Sequence, residues 1–139
     1  MTNARRAAAL AAIGQMPAPL GHFVNGRSLS GAGEGFAVTE PATGEIIGTV
    51  SDATEAELNS AVAAAKAAFP QWAATPGDKR KAILHKVADI IEARAEEIAA
   101  VECLDAGQCW RFMSKAAIRG AENFRFFADR APMANDGQT

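Results

Sequence analysis

No stretch of this chain comes near the ~20 consecutive apolar residues that a bilayer-spanning helix needs, so a helical membrane protein is not expected. Cysteine is scarce. Cys103 and Cys109 are the only two, too few for a disulfide framework and not in C-x-x-C spacing. A reducing compartment is therefore the default reading. Charge of one sign is lacking as well: 14 basic and 16 acidic residues leave a net charge of −2. Nucleic acid binds to a clustered excess of Lys and Arg, so it is not an expected partner. Strand-forming sequence is thin, and none of it has the continuous Val/Ile run of a buried parallel strand.

What is present suits one ordinary domain of 139 residues, 49% of them hydrophobic. A chain of that size buries roughly two-thirds of its unfolded surface. At the start, Arg5 and Arg6 precede an alanine-rich run over residues 7–13. The pattern is faintly like a targeting signal, but the run is short, rich in Ala rather than Leu, and has no convincing cleavage site. Residues 1–21 are read as a loosely held cytoplasmic extension, ending at Met16-Pro17-Ala18-Pro19, where two prolines discourage a helix.

From His22 the texture changes. Residues 22–27, 36–39 and 45–50 are short β-prone pieces between Gly- and Pro-rich connections. Gly31, Gly33 and Gly35 invite comparison with a phosphate loop. A dinucleotide fingerprint needs a strand before it and a helix opening directly after it. Strand-like sequence follows instead, so a hairpin loop is predicted. Three amphipathic helices come next. The first starts at a capping box formed by Thr54 and Glu57, carries Leu58, Ala61, Val62, Ala65 and Phe69 at helical spacing, and stops at Pro70. Asp78 is expected to cap the second, which keeps Ile83, Leu84, Val87, Ile90, Ile91, Ile98 and Val101 on one face and ends at Gly107, a natural left-handed cap. The third spans about 111–130 and is closed by Pro132. The expectation is an α+β unit, an N-terminal β-hairpin followed by three helices, with enough apolar helix surface to cover something larger.

Several segments together resemble one family. They are Phe23-Val24-Asn25-Gly26-Arg27, Glu40-Pro41-Ala42-Thr43-Gly44-Glu45-Ile46-Ile47, residues 61–69 with Trp72, residues 84–91, and Glu102-Cys103-Leu104-Asp105-Ala106-Gly107-Gln108. In order and spacing they are similar to the start of the NAD(P)-dependent aldehyde dehydrogenases, from Phe23 to the end of the chain. One departure is Cys109-Trp110, where the family usually has proline. Residues 118–129 are most similar to the semialdehyde dehydrogenases of aromatic-ring degradation, which oxidise hydroxymuconic-type semialdehydes, the carboxymethyl derivative included.

The resemblance implies an α/β parent fold, with residues 22–139 as the first part of its NAD(P)-binding domain. It also implies a small-molecule aldehyde substrate and a homodimeric or homotetrameric parent. The family's cysteine nucleophile, glutamate base and dinucleotide site match nothing in this chain. No catalytic or cofactor-binding residue is therefore carried over, and the chain alone is expected neither to catalyse nor to bind NAD or NADP. The resemblance assigns Arg119 to a substrate carboxylate, and Asn123, four residues on, shares its helix face. A guanidinium offers a planar fork to a carboxylate, although an ion pair of Arg119 with Glu122 fits the spacing equally. A monovalent cation is implied at Val38, Thr39 and Asp105, the alternative being Asp105 as a cap or salt-bridge partner at a helix end.

The residues bear on three other readings. Cys103, near a helix carboxyl end, and Cys109, in the turn after it, have no flanking His, and the negative partial charge of such an end raises a nearby thiol pKa. Structural cysteines are the expectation. His22 and His85 lie on different elements without a third ligand, so zinc is not expected. A non-catalytic alternative is a helical interaction module that associates with full-length dehydrogenase subunits.

Overall fold

The computed structural model describes residues 1–16 and 18–133. Pro17, in the expected break after Met16, lies outside the described residues, as do residues 134–139 of the expected 22–139 domain. Helix α1 (Asn3–Gly14) is followed by β1 (His22–Val24), β2 (Arg27–Leu29), β3 (Gly35–Thr39) and β4 (Ile46–Ser51). Then come α2 (Glu55–Ala73), α3 (Gly77–Ala93), α4 (Ala95–Ala106), α5 (Trp110–Met113), α6 (Ala116–Arg130) and a 3-10 turn at Ala131–Met133.

The α+β expectation holds, but its details change. There are two antiparallel ribbons, β1–β2 and β3–β4. The piece at 22–27 folds back on itself at Asn25-Gly26, both with positive φ (52° and 75°), which is the signature of the tight hairpin turn. The glycine-rich segment at 31–35 is thus a link between two ribbons rather than the loop of one. Within it the amide of Ala32 donates to Glu57 at 3.0 Å, which ties the link to the start of α2. At that start the capping box forms as read: Glu57 N–H donates to Thr54 Oγ1 at 3.3 Å, and Thr54 N–H donates to Glu57 at 2.8 Å.

Pro70 does not stop α2, which continues to Ala73. Every residue around this proline is exposed, so the carbonyl of Lys66 that loses its partner remains open to water. The long second helix is broken at Arg94 (φ −108°, ψ 17°). No Gly or Pro marks the break. It lets α3 and α4 present their apolar faces to different partners: α3 packs mainly on α6, whereas α4 packs mainly on α1. Asp78 sits inside the first turn of α3, where its charge suits the helix dipole, while Pro76 takes the N-cap position without a side-chain cap. Gly107 closes α4 with φ 67°. The third helix is likewise divided, into α5 and α6.

Within the segment 1–21, residues 3–14 form a helix that starts at Thr2, whose hydroxyl accepts from the amide of Arg5. Its Ala9 is buried against Ala100 and Leu104, with Leu10, Ile13, Ile47, Val101 and Trp110 around them. The linker after it also contributes, Leu20 making a parallel bridge to Val50 in β4. Alanine contributes little area, so composition gave a weak signal for docking. At the other extreme, α2 has no buried residue and exposes Leu58, Val62, Phe69 and Trp72.

Candidate functional site

Two regions hold the residues singled out from the sequence. On α6, Ala117, Ala121 and Ala128 are buried because α6 turns them toward α3 and α4. Arg119 and Asn123 lie on the opposite, exposed side, as a helix of 3.6 residues per turn requires. Among the described residues Arg119 has no ion-pair partner, so the pairing with Glu122 does not form. Arg125 behaves differently: its guanidinium binds Asp89 at 2.8 Å and Glu92 at 2.5 Å across the α3–α6 seam, and those two carboxylates hold its pKa above the usual value. On the outer side, Phe126 and Phe127 are exposed, and the Arg130 guanidinium lies 4.5 Å from the Phe126 ring centre. The face therefore combines an uncommitted guanidinium, an amide and aromatic surface. It can receive a carboxylate next to an apolar group.

The second region lies where β3 meets the end of α4. Val38 and Asp105 line one open cavity of about 430 Å3. Thr39, the last residue of β3, sits at an irregularity in the β3–β4 register and is not among the cavity's lining residues. Asp105 is exposed and has no salt bridge among the described residues, so the structure brings two of the three cation candidates to one opening.

Next to Thr39 is a group that sequence reasoning missed. Glu40 is only 5% exposed. Arg6 Nη2 donates to it at 2.6 Å and also to Glu45 at 2.5 Å, and the Thr43 hydroxyl donates to Glu40 at 3.1 Å. The Arg6 guanidinium holds the Glu40 carboxyl below the usual carboxylate range. The available signal was two adjacent arginines in an alanine helix, with two glutamates bracketing a Pro-x-Thr-Gly turn.

The remaining candidates stay apart. Cys103 is buried, and burial pushes its thiol pKa up; Cys109 is exposed at the start of α5. His85 and Lys81 both meet Asp129 at 2.9 Å, and these two partners, Lys81 first, lower the Asp129 pKa. Among the described residues no three His, Cys, Asp or Glu side chains come together as a metal-sized group, and no helix is long and apolar enough to cross a membrane. The glycine-rich link runs into β3, not into a helix. The glycine-rich link therefore does not fit a dinucleotide cradle.

A fold of two ribbons and packed helices with these features has clear counterparts among solved structures. The chain superposes on HpcC from Thermus thermophilus with a TM-score of 0.87 and 35% identity, covering 96% of this chain and 26% of that one. PnpE in complex with nicotinamide adenine dinucleotide matches with a TM-score of 0.76 and 35% identity, over 80% of this chain and 23% of that one. Among curated proteins, the 5-carboxymethyl-2-hydroxymuconate semialdehyde dehydrogenase of Escherichia coli is 39% identical over 82% of this chain and 24% of its own length. The 2-hydroxymuconic semialdehyde dehydrogenase of Pseudomonas sp. (strain CF600) is 43% identical over 78% of this chain and 23% of its own. Residues 29–139 match the aldehyde dehydrogenase family. The chain belongs to that family. It spans about a quarter of the length of the curated relatives it matches.

Proposed function

We propose that this chain forms part of the NAD(P)-binding domain of a dehydrogenase that oxidises a carboxylated, hydroxymuconic-type semialdehyde to the corresponding acid with NAD+ or NADP+. In that assembly Arg119 and Asn123 receive the substrate carboxylate, and Val38, Thr39 and Asp105 surround a monovalent cation, the first two through their carbonyls. The dinucleotide supplies the hydride acceptor and is held by sequence other than these residues. The working protein is a homodimer or homotetramer, and residues 1–139 by themselves are inactive.

The observation that carries this reading is Arg119, exposed on the outer side of α6 without an acidic partner among the described residues. Its neighbour Arg125 shows that this helix does pair its arginines where acids are in reach. The likeness to two hydroxymuconic-type semialdehyde dehydrogenases supports the substrate class. A chimera tests it: the Pseudomonas enzyme with its matching segment replaced by this chain. Arg119→Ala is expected to lower kcat/KM for a carboxylated semialdehyde by roughly tenfold or more, the scale of one charge-assisted hydrogen bond, and to leave an uncharged aldehyde nearly unaffected. Equal losses for both substrates would refute the assignment.

The exposed apolar side chains of α2 favour a second reading, a non-catalytic module that associates with full-length dehydrogenase subunits. Co-elution of the tagged chain with a full-length homologue at micromolar concentration supports it, and separate elution argues against it.

A further inference from the structure

Helix α1 buries little apolar surface. Ala9 is its buried residue, and Leu10 and Ile13 are only partly covered. A 12-residue helix is marginal on its own in water, so the docking depends on what fastens it. Two arginines do so at two separate places. Arg6 bridges Glu40 and Glu45. Arg5 pairs with Glu96 at 2.9 Å and lies 4.4 Å from the Trp110 ring centre. Beneath the helix lie Ala100 and the fully buried Leu104. Its far end, through Ile13 and Gly14, walls the same 430 Å3 cavity that Val38 and Asp105 line.

We propose that α1 is a latch that docks and releases as one unit, closed by Arg6 between Glu40 and Glu45. On release it uncovers Leu104 and opens the cavity beside Asp105 while α3 and α6 stay packed. The independence follows from the contacts. α1 touches mainly α4 and β4, whereas the α3–α6 seam has its own ion pairs at Arg125 and Asp129. Arg6 is the control point because one guanidinium is the shared counter-ion of two carboxylates on one turn. Without it Glu40 and Glu45 repel each other, and the Thr43 hydroxyl is left as the one described side-chain partner to offset the burial of Glu40. Salt works in the same direction by screening, most strongly at the exposed Arg5–Glu96 pair.

Hydrogen–deuterium exchange on the whole 139-residue chain tests the latch, with the wild type at 0.05 and 1 M NaCl compared with Arg6→Ala and Arg6→Lys at low salt. Arg6→Ala is expected to speed exchange about tenfold or more at amides 7–13 and 102–105, with amides 83–91 and 117–128 unchanged. Arg6→Lys, which keeps the charge and loses the fork, falls between. High salt moves the wild type the same way, which reads the latch without any substitution. Unchanged protection of amides 7–13 in Arg6→Ala and at 1 M NaCl would overturn the proposal. So would simultaneous loss of protection across α1, α3 and α6.

Discussion

Leu104 is the only large side chain among the described residues that is fully buried, so truncating it is the most direct probe of the core. Leu104→Ala removes three carbons from a site enclosed by Ala9 and Ala100, with Leu10, Ile13, Ile47, Val101 and Trp110 at its edge. The two alanines are too short to fill the void, whereas Leu10 and Ile13 can shift because they are only partly covered. The expected loss is therefore inside the usual range for such changes, about 2–5 kcal/mol. With a urea slope of about 2 kcal/mol per molar, the unfolding midpoint falls by roughly 1–2.5 M. Equilibrium urea titration followed by far-UV circular dichroism measures this, and Leu104→Met, which nearly conserves volume, should cost less than about 1.5 kcal/mol. A Leu104→Ala loss below about 1 kcal/mol would show that α1 does not enclose this side chain in solution.

Gly107→Ala places a methyl group in the left-handed region at φ 67°, with its Cβ 3.2 Å from that of Pro41. A cost of about 1–2 kcal/mol lowers Tm by roughly 3–8 °C, readable by calorimetry. Ala121→Leu forces a larger side chain into a fully buried position on α6 and is expected to cost about 1–3 kcal/mol in the same urea assay. For pH, the Glu57 carboxyl is held below its usual value first by the backbone hydrogen bond from Thr54, then by the Thr54 hydroxyl. A depressed folded pKa stabilises above the unfolded value of about 4.3 and is lost as pH falls through the folded one. Urea midpoints should therefore drop on acidification below about pH 5, and Glu57→Gln should make that drop shallower. An unchanged slope would mean the capping box carries none of it.

Local chemistry was the legible part of this chain. Thr54 and Glu57 announce a helix start through side-chain groups that satisfy each other, and Gly107 announces an end through a conformation other residues resist. Asn25-Gly26 was equally plain as a turn signal, although the strand reading ran across it. What sequence could not show were choices made by distant contacts. Pro70 stays in a helix because nothing buries the carbonyl it leaves unpaired. Arg94 breaks a continuous apolar stripe with neither Gly nor Pro to mark it. Arg6 meets Glu40 and Glu45 across more than thirty residues, a closure no local period encodes. At the candidate site, periodicity placed Arg119 and Asn123 on one face correctly. It could not show that Glu122 leaves the arginine uncommitted, or that Thr39 is not among the residues lining the cavity beside Val38 and Asp105.

The break at Arg94 also sets how this chain tolerates change. Because α3 and α4 are joined there by a single residue outside helical geometry, each can be repositioned without unwinding the other. Losing one residue at this joint turns the residues of α4 by about 100° about its axis relative to α3. Ala100 and Leu104 would swing away from α1, while the residues of α3 that face α6 keep their register. Substitutions on α3 and α6 can thus compensate as one group, and those on α1 and α4 as another, with the packing of α4 on α6 as the seam that still ties the two together.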